Sequence, residues 1–335
     1  MKVSELGEFG LIDLLAKIAN APRDNKMASW RQLLIGIGDD AAAWQGDGSI
    51  QLATVDSLIE GVHFPSGLAS WNELGWKALA VNLSDIAAMG GLPRYALVSL
   101  ALPDNTEVDD VTALYNGILG LAEQFGVAII GGNISRALLV VINITVLGNI
   151  SPGKNILSRS TARPGELVAV TGHLGAAAAG LEMLTQGLKF DLQATAYFRG
   201  AFFHPNPRIS EGQLLVEHGV KTAIDLSDGL LSDLNQLCKA SHVGARVETQ
   251  RVPVAPRVKA HFGERALEMA LSGGEDYELL FTGKAEVIDA VKSKAACPVT
   301  VIGEITGGKA GITLVDSMGK PVNLDRRGWE HFITR

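Results

Sequence analysis

WNELGWKALAVNLSDIAAMGGLPRYALVSLAL, residues 71–102, reads as a helix, its stop and a strand in one run. Residues 71–89 are largely Ala, Val, Leu, Ile and Met, so the helix they predict buries most of its surface. Asn72 stands where an N-cap is wanted, and Gly90-Gly91-Leu92-Pro93 supplies the stop. Residues 95–102 then read as a strand ending at Pro103. On the N-terminal side, Phe9, Ile12, Leu15, Ile18 and Ala19 recur at helical spacing and predict a first helix over residues 7–19, closed by Pro22. Strands are expected over residues 33–37 and 50–56. On the C-terminal side, a helix is expected over residues 108–125 and strands over 127–130 and 138–147.

A polar stretch bearing Pro and Gly, residues 151–165, marks a boundary. It predicts one domain over residues 1–150 and a second over 151–335. The second half opens with a strand at 167–170. Helices follow at 175–188, 209–218, 230–240, 265–271 and 285–294, with strands at 223–225, 277–282 and 299–305. Alternation of strands and helices in both halves predicts an α/β or α+β class. No short-period repeat occurs.

The chain has 335 residues, 47% hydrophobic and 19% charged, enough to bury a large core and to argue against disorder. The formal net charge of -7 and the pI near 5.5 argue against a general nucleic-acid binder, which needs a basic face. Cys238 and Cys297 are the only cysteines and lie far apart, so neither a disulfide framework nor a zinc ribbon is supported. The first residues lack the basic-then-apolar layout of a signal peptide. No apolar run reaches the roughly 18 residues needed to span a bilayer. The longest, residues 137–150, is broken by Asn143 and Asn149 and suits a buried strand. A soluble, cytoplasmic protein is expected.

Six carboxylates stand in apolar or glycine-rich settings: Asp39, Asp40, Asp56, Asp85, Asp225 and Asp228. Buried carboxylates are costly unless compensated. Few Lys or Arg lie near them in sequence, and a shared set of divalent cations would provide the compensation. Oxygen-only donors suit Mg²⁺ rather than zinc. Asn82 and Asp85, three apart on the expected helix, project from one face toward a site or a partner strand. Asp225, Ser227 and Asp228 span a strand end and a helix start, where side chains can bind a cation while backbone N–H groups face a phosphate. Taken singly, Asp40 could cap a turn and Asp228 a helix.

Several patterns imitate other sites. Gly36-Ile37-Gly38-Asp39-Asp40-Ala41 fits a dinucleotide fingerprint, but AAAWQGDGS after it is too turn-rich for the required helix. Gly172-His173-Leu174-Gly175 could seat a phosphate, although close helix–strand packing explains it better. The P-loop and protein-kinase signatures are absent.

GIGDDAA (36–42), TVDSLIEGVHF (54–64), KALAVNLSDIAAMGG (77–91), IDLSDGL (224–230), GGEDYELLF (273–281) and GWEHF (328–332) occur in this order. In these motifs the chain resembles the thiamine-monophosphate kinases, over nearly its whole length. The resemblance implies ATP-dependent phosphorylation of thiamine monophosphate by direct in-line transfer, with several Mg²⁺ ions. It implies a two-domain fold like that of aminoimidazole ribonucleotide synthetase. The N-terminal domain would form a dimeric, β-barrel-like ATP site, and the C-terminal α/β domain would complete the substrate and metal site of a homodimer. By the same resemblance the metal ligands are Asp40, Thr54, Val55, Asp56, Asp85, Asn133, Asp225 and Asp228. The ATP contacts are Tyr115, Gly132, Asn133, Arg159 and Ser227, and the thiamine-phosphate contacts are His63, Glu275 and Trp329.

Two positions depart from the family pattern. Asn133 replaces the usual Asp after two glycines, keeping an oxygen but losing a charge, and Val55 replaces a frequent Thr, leaving only its backbone carbonyl. Two alternatives stay open. One is a related ATP-dependent enzyme with another acceptor; the other is a nucleotide-binding homologue weakened by Asn133.

Overall fold

The computed structural model describes residues 32–46, 48–322 and 328. The helix expected over residues 7–19 lies outside them. Two six-stranded sheets organise the chain. The first runs in the order β1 (Leu33–Ile35), β2 (Ala42–Gln45), β3 (Ile50–Ile59), β6 (Val141–Ile150), β4 (Leu92–Leu102), β5 (Ala128–Arg136). Its neighbours are antiparallel except β4 and β5. That parallel pair needs a crossover, which helix α2 (Val108–Phe125) provides. Helix α1 (Trp71–Ala88) connects β3 to β4.

The second sheet runs in the order β12 (Gly311–Val315), β9 (Gly244–Glu248), β11 (Val299–Thr306), β7 (Leu167–Thr171), β10 (Leu279–Gly283), β8 (Thr222–Asp225). It is antiparallel except for β12 and β9. Around it lie α3 (Ala176–Gln186), α4 (Leu192–Phe203), α5 (Ile209–Glu217), α6 (Leu230–Ser241), α7 (Pro256–Phe262), α8 (Arg265–Ser272) and α9 (Ala285–Lys294). Neither sheet closes into a barrel among the described residues. No helix among them is long and apolar enough to cross a membrane.

Two cores result. One joins α1 and the inner face of the first sheet, through Leu79, Leu83, Ile142 and Ile144, to Ile209, Leu215 and Ile288 of the second half. The other lies on the far face of the second sheet. Strand β10 divides between them by its two-residue period: Leu279 and Phe281 enter the first core, and Leu280 the second.

The N-cap of helix α1 lies two residues before Asn72. Ser70 is the N-cap and forms a capping box with Glu73, whose carboxylate accepts from the Ser70 N–H at 2.8 Å. Asn72 instead sits inside the first turn. The segment AAAWQ, read as turn-rich, forms β2 because it pairs with β3, Ala42 opposite Ala53 and Trp44 opposite Gln51. Strand β3 runs on to Ile59, so Asp56 stands within it rather than at its end.

Helices α1 and α2 cross at glycines. A Cβ on Gly75 would lie 1.9 Å from the Leu114 carbonyl oxygen, and one on Gly117 would lie 2.0 Å from that of Asn72. Gly120, on the same helix as Gly117, has nothing within 4 Å of its Cβ position. Gly117→Ala is therefore expected to force the helices apart and cost about 1–3 kcal/mol. Gly120→Ala is expected to gain up to about 1 kcal/mol from helix propensity alone. Denaturant unfolding of the two variants reads both; equal effects would rule out the crossing as the reason for Gly117.

Candidate functional site

Three carboxylates from three elements meet where the two halves join. Asp40 follows β1, Asp85 lies on α1 and Asp225 ends β8, and one oxygen of each falls within 4.8 Å of the others. Thr54 on β3 donates to Asp85 Oδ2 at 2.5 Å, and Ser84 donates to Asp225 Oδ2 at 2.7 Å. The Arg159 guanidinium grips Asp40 with two bonds, Nε to Oδ2 at 3.1 Å and Nη2 to Oδ1 at 2.7 Å. Asp39 has a separate task. It accepts from Ser158 Oγ at 2.7 Å and from the Arg159 N–H at 3.2 Å, which holds the segment that presents Arg159.

Burial and mutual repulsion shape the charges. Asp85 is pushed well above the usual carboxylate range by desolvation, then by Asp56, Asp225 and Asp40. Asp225 is raised likewise, by burial and Asp40, against the Ser84 hydrogen bond. Burial and Asp40 lift Asp39 to about 6. Crowding by protein, with the charges of Glu275 and Asp40, raises Asp56 to about 7, although this residue stays open to solvent. One guanidinium cannot balance three converging carboxylates. An oxygen-only donor set with surplus buried charge fits a hard divalent cation, and Asp40, Asp85 and Asp225 are the residues that could hold it.

A second group stands beside this one. Residues 273–278 form a loop latched to residues 226–227: Glu275 N–H donates to Ser227 O at 2.7 Å, and Tyr277 N–H to Leu226 O at 2.8 Å. Glu275 (φ 65°) and Tyr277 (φ 48°) both take left-handed backbone. Non-glycine residues in that region cluster at functional sites when their surroundings over-determine them. Lys77 of α1 is fully buried, with Nζ 2.7 Å from Glu275 Oε2 and 3.4 Å from the centroid of the Phe202 ring. Desolvation lowers the Lys77 pKa, opposed by Glu275.

The remaining expected residues are distributed as follows. His63 Nδ1 accepts the Ile59 N–H at 3.1 Å, which leaves its ring proton on Nε2. Asp228 is half-buried at the approach to α6, outside the group of three, and its N–H donates to Asp233 Oδ2 at 3.2 Å. Ser227 contributes the carbonyl that latches Glu275. Val55 is exposed on β3. Tyr115 lies on α2 against the first core. Gly132 and Asn133 are on β5. The register from Asp56 through Ile144 and Val98 to Gly132 spans three strand spacings, roughly 14 Å. One chain therefore does not bring Gly132 and Asn133 to the carboxylates. Trp329 lies outside the described residues.

Other expectations change. Asn82 does not share Asp85's target; its amide donates back to Ala78 O at 3.0 Å, and Ser84 is the residue on α1 that reaches the second sheet. The phosphate-like turn before α3 is filled from within, as Asp276 accepts from the Gly175 N–H at 2.8 Å. A Cβ on Gly172 there would strike the Glu278 carboxylate, so packing accounts for that glycine. Lys77 went unnoticed in the sequence. Its signal was present: a lysine inside a helix too apolar to have a solvent face.

Residues 38–150 match the family model for the N-terminal domain of AIR synthase related proteins, and residues 163–316 match that for the C-terminal domain. The thiamine-monophosphate kinase of Escherichia coli K12 is 37% identical over 334 residues, covering 98% of this chain and 99% of the relative. That of Bacillus subtilis 168 is 36% identical over 308 residues, covering 89% and 93%. A solved structure described as AaThiL complexed with AMPPCP and TMP superposes with a TM-score of 0.85 at 33% identity, covering 99% of both chains. With motifs, two-sheet fold and near-complete coverage in agreement, the chain belongs to the thiamine-monophosphate kinase family.

Proposed function

We propose that this chain phosphorylates thiamine monophosphate to thiamine diphosphate, with ATP as phosphoryl donor, as a cytoplasmic homodimer. The observation that carries the reading is the convergence of Asp40, Asp85 and Asp225 from both halves of the chain beside Arg159. The relatives named thiamine-monophosphate kinase, and the neighbour complexed with AMPPCP and TMP, support the choice of substrates.

The nucleophile is a phosphate oxygen of the acceptor, anionic near neutral pH, so transfer needs no side-chain nucleophile and proceeds in line. The difficulty is the approach of two anions. Asp40, Asp85 and Asp225, with Thr54, the Val55 carbonyl, Asp56, Asn133 and Asp228, would hold Mg²⁺. Bound there, Mg²⁺ would supply charge neutralisation and orientation for the transferring phosphoryl group. Arg159 keeps Asp40 in place and adds positive charge on the donor side. Ser227, Tyr115, Gly132 and Asn133 face ATP; His63, Glu275 and Trp329 receive the acceptor. The segment 1–150 forms the nucleotide and dimerisation domain, and 151–335 completes the site.

The dimer reading is supported by β5. Ile130 and Ile134 on this edge strand are 54% and 72% exposed, an apolar edge that invites a partner. Pairing of N-terminal domains into a barrel-like ATP site would bring Tyr115, Gly132 and Asn133 to the partner's carboxylates.

The direct test is formation of thiamine diphosphate from thiamine monophosphate, ATP and MgCl₂, with EDTA and free thiamine as controls. Metal-dependent product is expected. ATP binding without product would favour a weakened nucleotide-binding homologue, with Asn133→Asp as the next variant. In the same assay Asp85→Asn is expected to lower kcat roughly a hundredfold while ATP binding changes little; an unchanged kcat would remove Asp85 from the metal set.

Proton linkage gives another expectation. Asp39 at about 6 and Asp56 at about 7 lie above the 3.8 of a free aspartate. The ion-free folded chain thus binds more protons than the unfolded chain between about pH 4 and 7, and these groups lose it stability as pH rises through that window. Ligation requires deprotonated carboxylates, so MgCl₂ should raise the unfolding temperature more at about pH 7.5 than at about pH 5.5. An equal shift at both pH values would count against carboxylate ligation.

Ile134→Lys is expected to shift the chain from dimer to monomer in sedimentation velocity and to abolish product formation. A variant that stays dimeric and active would exclude β5 from the interface.

A further inference from the structure

We propose that Lys77 is a positioning residue for the acceptor: its buried ammonium pins one edge of the Glu275 carboxylate, so that the other edge faces the cationic, aromatic end of the substrate. This rests on the reading of Glu275 as an acceptor contact.

A lysine with no exposed side-chain surface is unusual, because an ammonium is costly to take out of water. Its surroundings offer one carboxylate and one aromatic face. Glu275 Oε2 lies 2.7 Å away and the Phe202 ring lies 3.4 Å from Nζ. The first contact is an ion pair more than a well-aligned hydrogen bond, and the second is a cation–π contact. A methionine of similar length would fill the same space without the desolvation cost, so the ammonium adds little net stability. What it supplies is a fixed place for Glu275.

The geometry of Glu275 agrees. Oε2 is closed off from solvent, whereas the side chain as a whole keeps 22% of its surface, so its open flank faces away from Lys77. The residue sits in left-handed backbone latched by Ser227 O. Asp56 is near enough to repel it. Without a cation behind it, the carboxylate would swing away from Asp56 and lose its aim. Lys77 comes from α1 and Glu275 from the second half, so this one contact also sets the acceptor group relative to the three converging carboxylates.

The test is steady-state kinetics on the full-length chain. Lys77→Met is expected to raise KM for thiamine monophosphate about tenfold or more, with kcat and the KM for ATP changed less than about threefold. Glu275→Gln should raise the same KM. The double variant, Lys77→Met with Glu275→Gln, should match Glu275→Gln alone, because Lys77 acts only through that carboxylate. The double variant leaves no orphaned buried charge, so it reports even if Lys77→Met does not fold. An unchanged KM in Lys77→Met, a parallel loss in kcat and both KM values, or multiplied effects in the double variant would each overturn the proposal. A wild-type chain that neither binds nor phosphorylates thiamine monophosphate would overturn the parent reading and this one with it; an active wild type with any of those variant results overturns this one alone.

Discussion

Helix α1 is buried on nearly every side, so most of the polar groups it carries pair with another element, Asn82 with its bond to Ala78 O excepted. Those partners come mostly from the second half of the chain. Glu73 receives the Arg199 guanidinium, Trp76 Nε1 donates to Pro205 O at 3.1 Å, Lys77 meets Glu275, and Ser84 donates to Asp225. Asp85 turns the other way, toward Thr54 on the first sheet. Positions 77 and 84 fall on one stripe of the helix and position 85 roughly 100° round from it, which makes α1 the ruler against which both halves are set. Close backbone approach reinforces this: a Cβ on Gly212 of α5 would lie 2.2 Å from the Ala87 carbonyl oxygen.

Charge at this junction is arranged rather than merely gathered. Two cations hold carboxylates here, the half-buried Arg159 on Asp40 and the fully buried Lys77 on Glu275. Between them Asp85 and Asp225 have, among the described residues, only hydroxyl donors, Thr54 and Ser84. That is where negative charge is least compensated and where a divalent cation has most to gain. The left-handed residues Glu275 and Tyr277 sit at the rim of the same region, held by two backbone bonds to residues 226 and 227. The backbone there is fixed by the neighbouring loop and not by local preference.

Buried carboxylates in this chain do more than one kind of work. Asp39 fastens the Ser158–Arg159 backbone, Asp276 caps α3, and Asp233 accepts from the Asp228 and Gly229 N–H groups at the start of α6. Glu278 takes Arg208 and the Thr171 hydroxyl. These are satisfied from within the protein. A buried Asp beside a glycine is therefore ambiguous until its donors are known, as adjacent Asp39 and Asp40 illustrate.

The sequence alone determined whatever depends on short-range periodicity. Helix α2 and helix α9 are legible because about three turns of regular spacing identify a helix without help from elsewhere. The carboxylate-bearing motifs, the absence of P-loop chemistry and the buried character of α1 are legible for the same reason. Short elements were not. Strands β2, β9 and β12 were passed over, because four or five residues become a strand only through the strand beside them; the seven-residue helix α7 was passed over as well, and so was α4 despite its twelve residues. Tertiary structure alone decided which carboxylates converge. Asp40, Asp85 and Asp225 are brought together by one helix lying between two sheets, with Asp56 close by and Asn133 three strands away. It also decided that Lys77 faces Glu275 across nearly two hundred positions of chain, a pairing that no local pattern encodes because burial, not sequence distance, selects the partner.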